Sequence, residues 1–109
     1  MLRSRFPLAL LILLASVVLA RAEDHTVTGT VTGFICGDNC YLTITSASGE
    51  ERVGLCAAPE CTPWNDVAEM PEDMMGRSVR VKLGSGTQLD GEGQTVGEML
   101  AFEEIEFTD

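Results

Sequence analysis

Four cysteines carry most of the chemistry that this 109-residue chain can offer, and they are spaced as Cys36-x3-Cys40 and Cys56-x4-Cys61. Sulfur in such an arrangement supports three chemistries: structural disulfides, a tetrathiolate metal site or a redox-active dithiol. Zinc knuckles usually place their paired ligands two residues apart, and both spacings here are wider. A catalytic dithiol usually sits as C-x-x-C at a helix start, where the dipole lowers the thiol pKa, whereas Cys36-Gly37-Asp38-Asn39-Cys40 reads as a β-turn. Two structural disulfides are therefore the expectation, with a metal-binding cluster and a weak thiol oxidoreductase as its alternatives.

Other chemistry-bearing residues are sparse. Met70, Met74, Met75 and Met99, with His25 as the only histidine, are the residue types of a copper(I) site. Methionines beside a short helix also serve as adaptable core filler, and that is the expectation here. Asp90 and Glu92 supply oxygen ligands suited to calcium, but the full spaced acidic set of a dedicated loop is missing and a plain turn is favoured. No serine–histidine arrangement, phosphate-cradling loop or spaced acid pair stands out. The sequence therefore predicts no enzyme, no resident metal and no cofactor.

The N-terminus places these residues in a compartment. Arg3 and Arg5 precede an apolar stretch from Pro7 to Leu19, which is followed by Ala20-Arg21-Ala22, the small-x-small form of a signal peptidase site. The apolar run falls short of the roughly 20 residues needed to span a bilayer. Residues 1–22 are thus expected to be a cleaved signal peptide, with residues 23–109 a single exported domain that keeps no membrane anchor and works in the periplasm or as a secreted protein. That compartment oxidises thiols, which favours the disulfides.

Cleavage would leave Arg52, Arg77, Arg80 and Lys82 against 17 acidic residues, a surplus of thirteen negative charges. Such a surface repels polyanions, so nucleic acid is excluded as a partner. The partner expected is a protein or small molecule whose identity the sequence does not reveal.

The elements that must position the cysteines are mostly strands. Thr26 to Ile35 alternates threonine with apolar or glycine residues, the period of a half-buried strand. Tyr41–Thr45 and Arg52–Cys56 flank Ser46-Ala47-Ser48-Gly49-Glu50, a hairpin loop by composition. Centring that hairpin near Ala47 and Ser48 sets Cys40 beside Cys56, so all four cysteines gather at one barrel end. Nested bridges, Cys40 with Cys56 and Cys36 with Cys61, then compete with two local ones. Each bridge contributes roughly 2–3.5 kcal/mol by loop-closure entropy.

Thr62-Pro63-Trp64 reads as a helix start with Thr62 as N-cap, and Pro71 reads as its stop, with one further turn over Glu72–Gly76. Arg77–Leu83 is a fourth strand with Val79, Val81 and Leu83 inward and the basic residues outward. Gly84 to Glu98 is glycine-rich and predicts a long hairpin tip or mobile loop around Asp90-Gly91. In Met99–Phe107, Leu100 and Phe102 have one parity and Ile105 and Phe107 the other, so a bulge at Glu103-Glu104 must return both pairs to the core.

Three strands, a short helix and two strands is the order of the oligonucleotide/oligosaccharide-binding (OB) barrel. The fold class expected is mainly β: a five-stranded OB-like Greek-key barrel with one short helix between strands 3 and 4. Gly29-x-Val31, Tyr41-x-x-Ile44, Gly49, Trp64, Gly76-x-x-Val79-x-Val81 and Phe102-x-x-Ile105 resemble the small periplasmic bacterial OB-fold proteins over most of residues 23–109. The four cysteines and the long segment after Leu83 depart from that family's pattern. The resemblance implies an exported, non-enzymatic, ligand-binding barrel with a link to stress responses; it implies no fixed catalytic site and transfers no functional residue. The loops Gly37-Asp38-Asn39 and Gly84–Glu98, with Asp90 and Glu92, are then the candidate binding residues, presented by a barrel tied with two disulfides.

Overall fold

The structure is a computed structural model that describes residues 25–109; the expected signal peptide lies outside the described residues. Five strands form the barrel: β1 (Thr26–Cys36), β2 (Cys40–Thr45), β3 (Glu51–Cys56), β4 (Ser78–Leu89) and β5 (Thr95–Phe107). The helix α1 (Cys61–Val67) and a 3-10 turn at Glu72–Met74 lie between β3 and β4. The barrel is closed in the order β1-β2-β3-β5-β4, with β4 returning to β1, which is the OB-like Greek-key order expected from the sequence.

Alternation explains the core. On β2, Leu42 and Ile44 are buried while Tyr41 and Thr43 face the other way, and on β4 Val79 and Val81 are buried between exposed Arg80 and Lys82. Phe102 of β5 has no exposed surface and, with Leu42, Ile44, Val31 and Val81, fills the interior. Lys82 pairs with Glu104 but Leu83 pairs with Phe102, leaving Glu103 as the extra residue of a bulge. That bulge puts both Phe102 and Ile105 inside, as their opposite parities require.

Three expectations need correction. The stretch Gly84–Glu98 is not a long loop: β4 runs to Leu89 and β5 starts at Thr95, so only Asp90–Gln94 turns. Two of its glycines, Gly84 and Gly86, serve packing instead, and a Cβ on Gly86 would stand 2.8 Å from Leu55 Cδ1. Within the turn the positive φ falls at Gly93, not Gly91, which fits a three-residue type I turn closed by a left-handed residue.

The second correction concerns α1. It begins at Cys61, before Thr62, and Glu60 at the N-cap makes no side-chain cap. The Cys61 and Thr62 amides donate instead to Ala58 O and Pro59 O, so a preceding turn winds directly into the helix. Third, α1 ends well before Pro71. Ala68 adopts a left-handed φ of 60°, and the Ala68 and Glu69 amides donate to Asn65 O and Trp64 O, closing the last carbonyls.

The cysteines resolve to the two local bridges, Cys36–Cys40 and Cys56–Cys61. The register that placed Cys40 near Cys56 is present, since Tyr41 pairs with Leu55 and Leu42 with Gly54. Cys36 pairs directly with Cys40 across β1 and β2, with Cα atoms 4.0 Å apart, so the nearer partner takes the bond. The Cys56–Cys61 bridge anchors the start of α1 to the end of β3.

Candidate functional site

The two loops singled out from sequence meet in space. Asn39, at the end of the β1–β2 loop, presents its side-chain amide to the backbone of Leu89 as a strand edge would. Asn39 Nδ2 donates to Leu89 O at 2.8 Å, and Leu89 N donates to Asn39 Oδ1 at 3.0 Å. Next to it, Gln88 Nε2 donates to the Tyr41 hydroxyl at 2.8 Å. The Asp38 carboxylate lies over Gly91, close enough that a Cβ there would be 3.3 Å from Asp38 Oδ1. The β4–β5 hairpin is therefore tied down to the β1–β2 loop beside the Cys36–Cys40 bridge.

The five candidate binding residues divide by what already occupies them. Asn39 is taken by the clamp. Asp90 is taken by its own turn: its Oδ1 accepts from Glu92 N and from Gln94 N, each at 2.9 Å. Gly37 shapes the β1–β2 loop, with its amide donating to Asn39 O at 2.8 Å. Asp38 and Glu92 make no hydrogen bond or ion pair through their carboxylates among the described residues, and so stay available to a ligand. Among the described residues no three His, Cys, Asp or Glu side chains gather as a metal cluster. All four thiols are joined in bridges, so the tetrathiolate reading lacks its ligands.

Beneath the clamp lies a cleft of about 440 Å³ bounded by the β1–β2 loop, the end of β3, α1 and β4. Its walls include the Cys36–Cys40 bridge, Leu55, Asn65 and Thr87, and Asp38 is its single charged group. Asn65 is fixed by donating from Nδ2 to Cys56 O at 2.9 Å. Outside the cleft, the outer face of β1–β3 continues as an apolar and hydroxyl surface. Ile35, 70% exposed, pairs with Tyr41, and Val53, 47% exposed, pairs with Thr43. Neither the cleft nor this pairing block contains a Lys or Arg.

Three basic side chains, Arg77 just before β4 and Arg80 and Lys82 on it, are each paired with a carboxylate. Arg77 Nε meets Asp109 Oδ1 at 2.9 Å, Arg80 meets Glu106 at 2.6 Å, and Lys82 meets Glu104 at 3.8 Å. The Arg77 guanidinium, together with the Ser78 amide, holds the Asp109 carboxyl below the usual carboxylate range. This ladder lies at the start of β4, away from the clamp at its end.

Sequence reading missed Tyr41, Leu55 and Asn65 as part of this site, and took in Thr87 and Gln88 only as members of the segment Gly84–Glu98. Tyr41 and Leu55 were within reach, because the hairpin register already set them opposite one another on the outward parity. Asn65 joins only through long-range folding, and so do the particular roles of Thr87 and Gln88, which the sequence marked only as loop positions. Comparison with known protein families, curated proteins and solved structures found no match.

Proposed function

We propose that the chain is an exported binding protein of OB-like fold, akin to the small periplasmic OB-fold proteins it resembles, that holds an uncharged or cationic ligand in the cleft under the Asn39 clamp. The observation that carries this reading is the clamp itself. Binding costs less when the loops around a site are already ordered, and here a disulfide, an amide pair and the Tyr41–Gln88 bond order them in advance. The cleft volume falls within the range of small-molecule sites, and its neutral polar and apolar walls suit a few orienting hydrogen bonds around an apolar body. Asp38 as the lone charge favours a cation or a polyol over an anion. Export supplies the oxidising conditions under which the two bridges persist.

The test is amide chemical-shift mapping of the oxidised, exported protein against small polyols, short oligosaccharides, small amines and small carboxylates. Saturable shifts centred on Asn39, Tyr41, Leu55 and Thr87 with polyols or amines are expected. Shifts centred elsewhere, or a preference for carboxylates, would reject the cleft as the site. Intact mass of the exported product is expected to give a chain starting at Glu23 that alkylates only after reduction.

A further inference from the structure

Away from the clamp, the segment after α1 forms a second concavity that neither the fold nor the cleft explains. A groove of about 540 Å³ runs along Pro63, Trp64, Val67, Met70 and Pro71, with exposed Glu69 and Glu72 on its border. A neighbouring recess of about 320 Å³ shares Glu69, Met70 and Glu72 and adds Phe34 and Met75. Val67 is 68% exposed and Met75 50%, and they adjoin the groove and recess instead of standing singly on the surface. Trp64 forms the floor, held by an edge-on contact with Phe34 at 6.1 Å between ring centroids. Methionine adapts its shape to a partner more readily than branched residues do.

Charge selects the occupant. From Gly54 to Gly76 the chain has no Lys, Arg or His, while Glu60, Asp66, Glu69, Glu72 and Asp73 crowd the same stretch. Arg77, Arg80 and Lys82 are paired with carboxylates of their own and do not neutralise this face. An apolar floor bordered by carboxylates matches a helix with one apolar face and lysines or arginines flanking it, since buried apolar contacts supply affinity and the border charges supply orientation and rate.

We propose that the α1 groove docks a basic amphipathic helix of a partner protein, with its apolar face on Trp64, Val67 and Met70 and its cations beside Glu69 and Glu72.

Trp64 is the only tryptophan in the chain, so its emission reports on the groove directly. The experiment titrates the oxidised, exported protein with a synthetic amphipathic helix of Leu and Lys and with its Leu and Glu twin. The Leu/Lys helix is expected to give a saturable blue shift of Trp64 emission, and the Leu/Glu twin none. Glu69→Lys with Glu72→Lys should weaken the Leu/Lys helix roughly tenfold. Val67→Ser should also weaken it while leaving the melting temperature unchanged, because Val67 is exposed. Equal responses to both peptides would overturn the proposal. So would Leu/Lys binding with no change at Trp64, which signals diffuse attraction to an acidic surface, or self-association that Val67→Ser disperses, which makes a second copy the occupant.

Discussion

Two of the three hairpin turns of this barrel have the same backbone and different fates. In Ser46–Glu50 the Ser46 amide donates to Glu50 O, the Gly49 amide donates to Ser46 O, and Gly49 has a φ of 92°. In Asp90–Gln94 the Asp90 amide donates to Gln94 O, the Gly93 amide donates to Asp90 O, and Gly93 has a φ of 83°. Even the side-chain caps correspond, with Ser46 Oγ accepting from Glu50 N and Asp90 Oδ1 from Gln94 N. Yet among the described residues the first tip makes its side-chain hydrogen bonds only within itself, whereas the second is held at its base by Asn39 of the β1–β2 loop. A turn's shape is a local property of five residues; whether its tip has a fixed place depends on a partner fifty residues away in sequence.

Removing the bridge beside the clamp should separate the two turns most strongly. Cys36→Ser with Cys40→Ser is expected to lower unfolding stability by about 2 kcal/mol in denaturant titration. In the same variant, amide exchange should accelerate at Leu89–Gln94 and stay unchanged at Ser46–Glu50. Equal acceleration at both turns would mean that the clamp does not distinguish them.

Asn39→Ala isolates the clamp from the bridge. Losing two hydrogen bonds, one to each backbone group of Leu89, should cost about 1–2 kcal/mol, read as faster exchange of the Leu89 amide. It should also weaken any ligand of the cleft. If the Leu89 amide keeps its protection, the clamp is not what holds the hairpin.

Gly49→Ala and Gly93→Ala probe what the turns share. Each forces a side chain into a positive φ and should cost about 1 kcal/mol, with the two values close to one another. A much larger loss at Gly93 would show that the turn and the clamp are coupled.

The smallest effect concerns pH. The Asp109 carboxyl titrates below its ordinary value in the folded chain because Arg77 and the Ser78 amide favour its charged form. Its contribution is therefore complete above the ordinary carboxylate pKa of about 4 and is lost as pH falls through the lowered folded value. Asp109→Asn should therefore lower stability slightly at neutral pH, with the difference from the parent vanishing as pH falls through the lowered folded value.

Much of the barrel was legible because its determinants are local and repetitive. Val79-x-Val81 and Leu42-x-Ile44 announce inward faces, and the parity switch between Phe102 and Ile105 announces the bulge at Glu103. The register that brings Tyr41 opposite Leu55 followed from one hairpin loop. The extension of β4 and β5 did not, because Gly84-Ser85-Gly86 looks like a linker until Leu55 and Ala101 are seen pressing against Gly86. The helix start was misplaced for a related reason: the turn at Ala58–Cys61 supplies the cap that Thr62 was expected to provide. At the site, Asp38, Asn39 and Asp90 were visible as loop residues, but the roles of Asn39 and Asp90 as clamp and turn cap depend on contacts that single-sequence periodicity does not carry.

The closure of the barrel has a consequence for how the chain folds. Three of its five strand junctions are hairpins, which zip from their own turns. The other two join distant segments, and of these β3–β5 is the thinner, with only the pairs Leu55–Ala101 and Cys56–Phe102. That seam should be the last to form and the first to part, so the rate of refolding is governed by a long-range docking step, not by any turn. Cys56 lies on the seam and is bonded to Cys61 in either state, so a molecule that opens there still keeps α1 tethered beside the gap and ready to close it again.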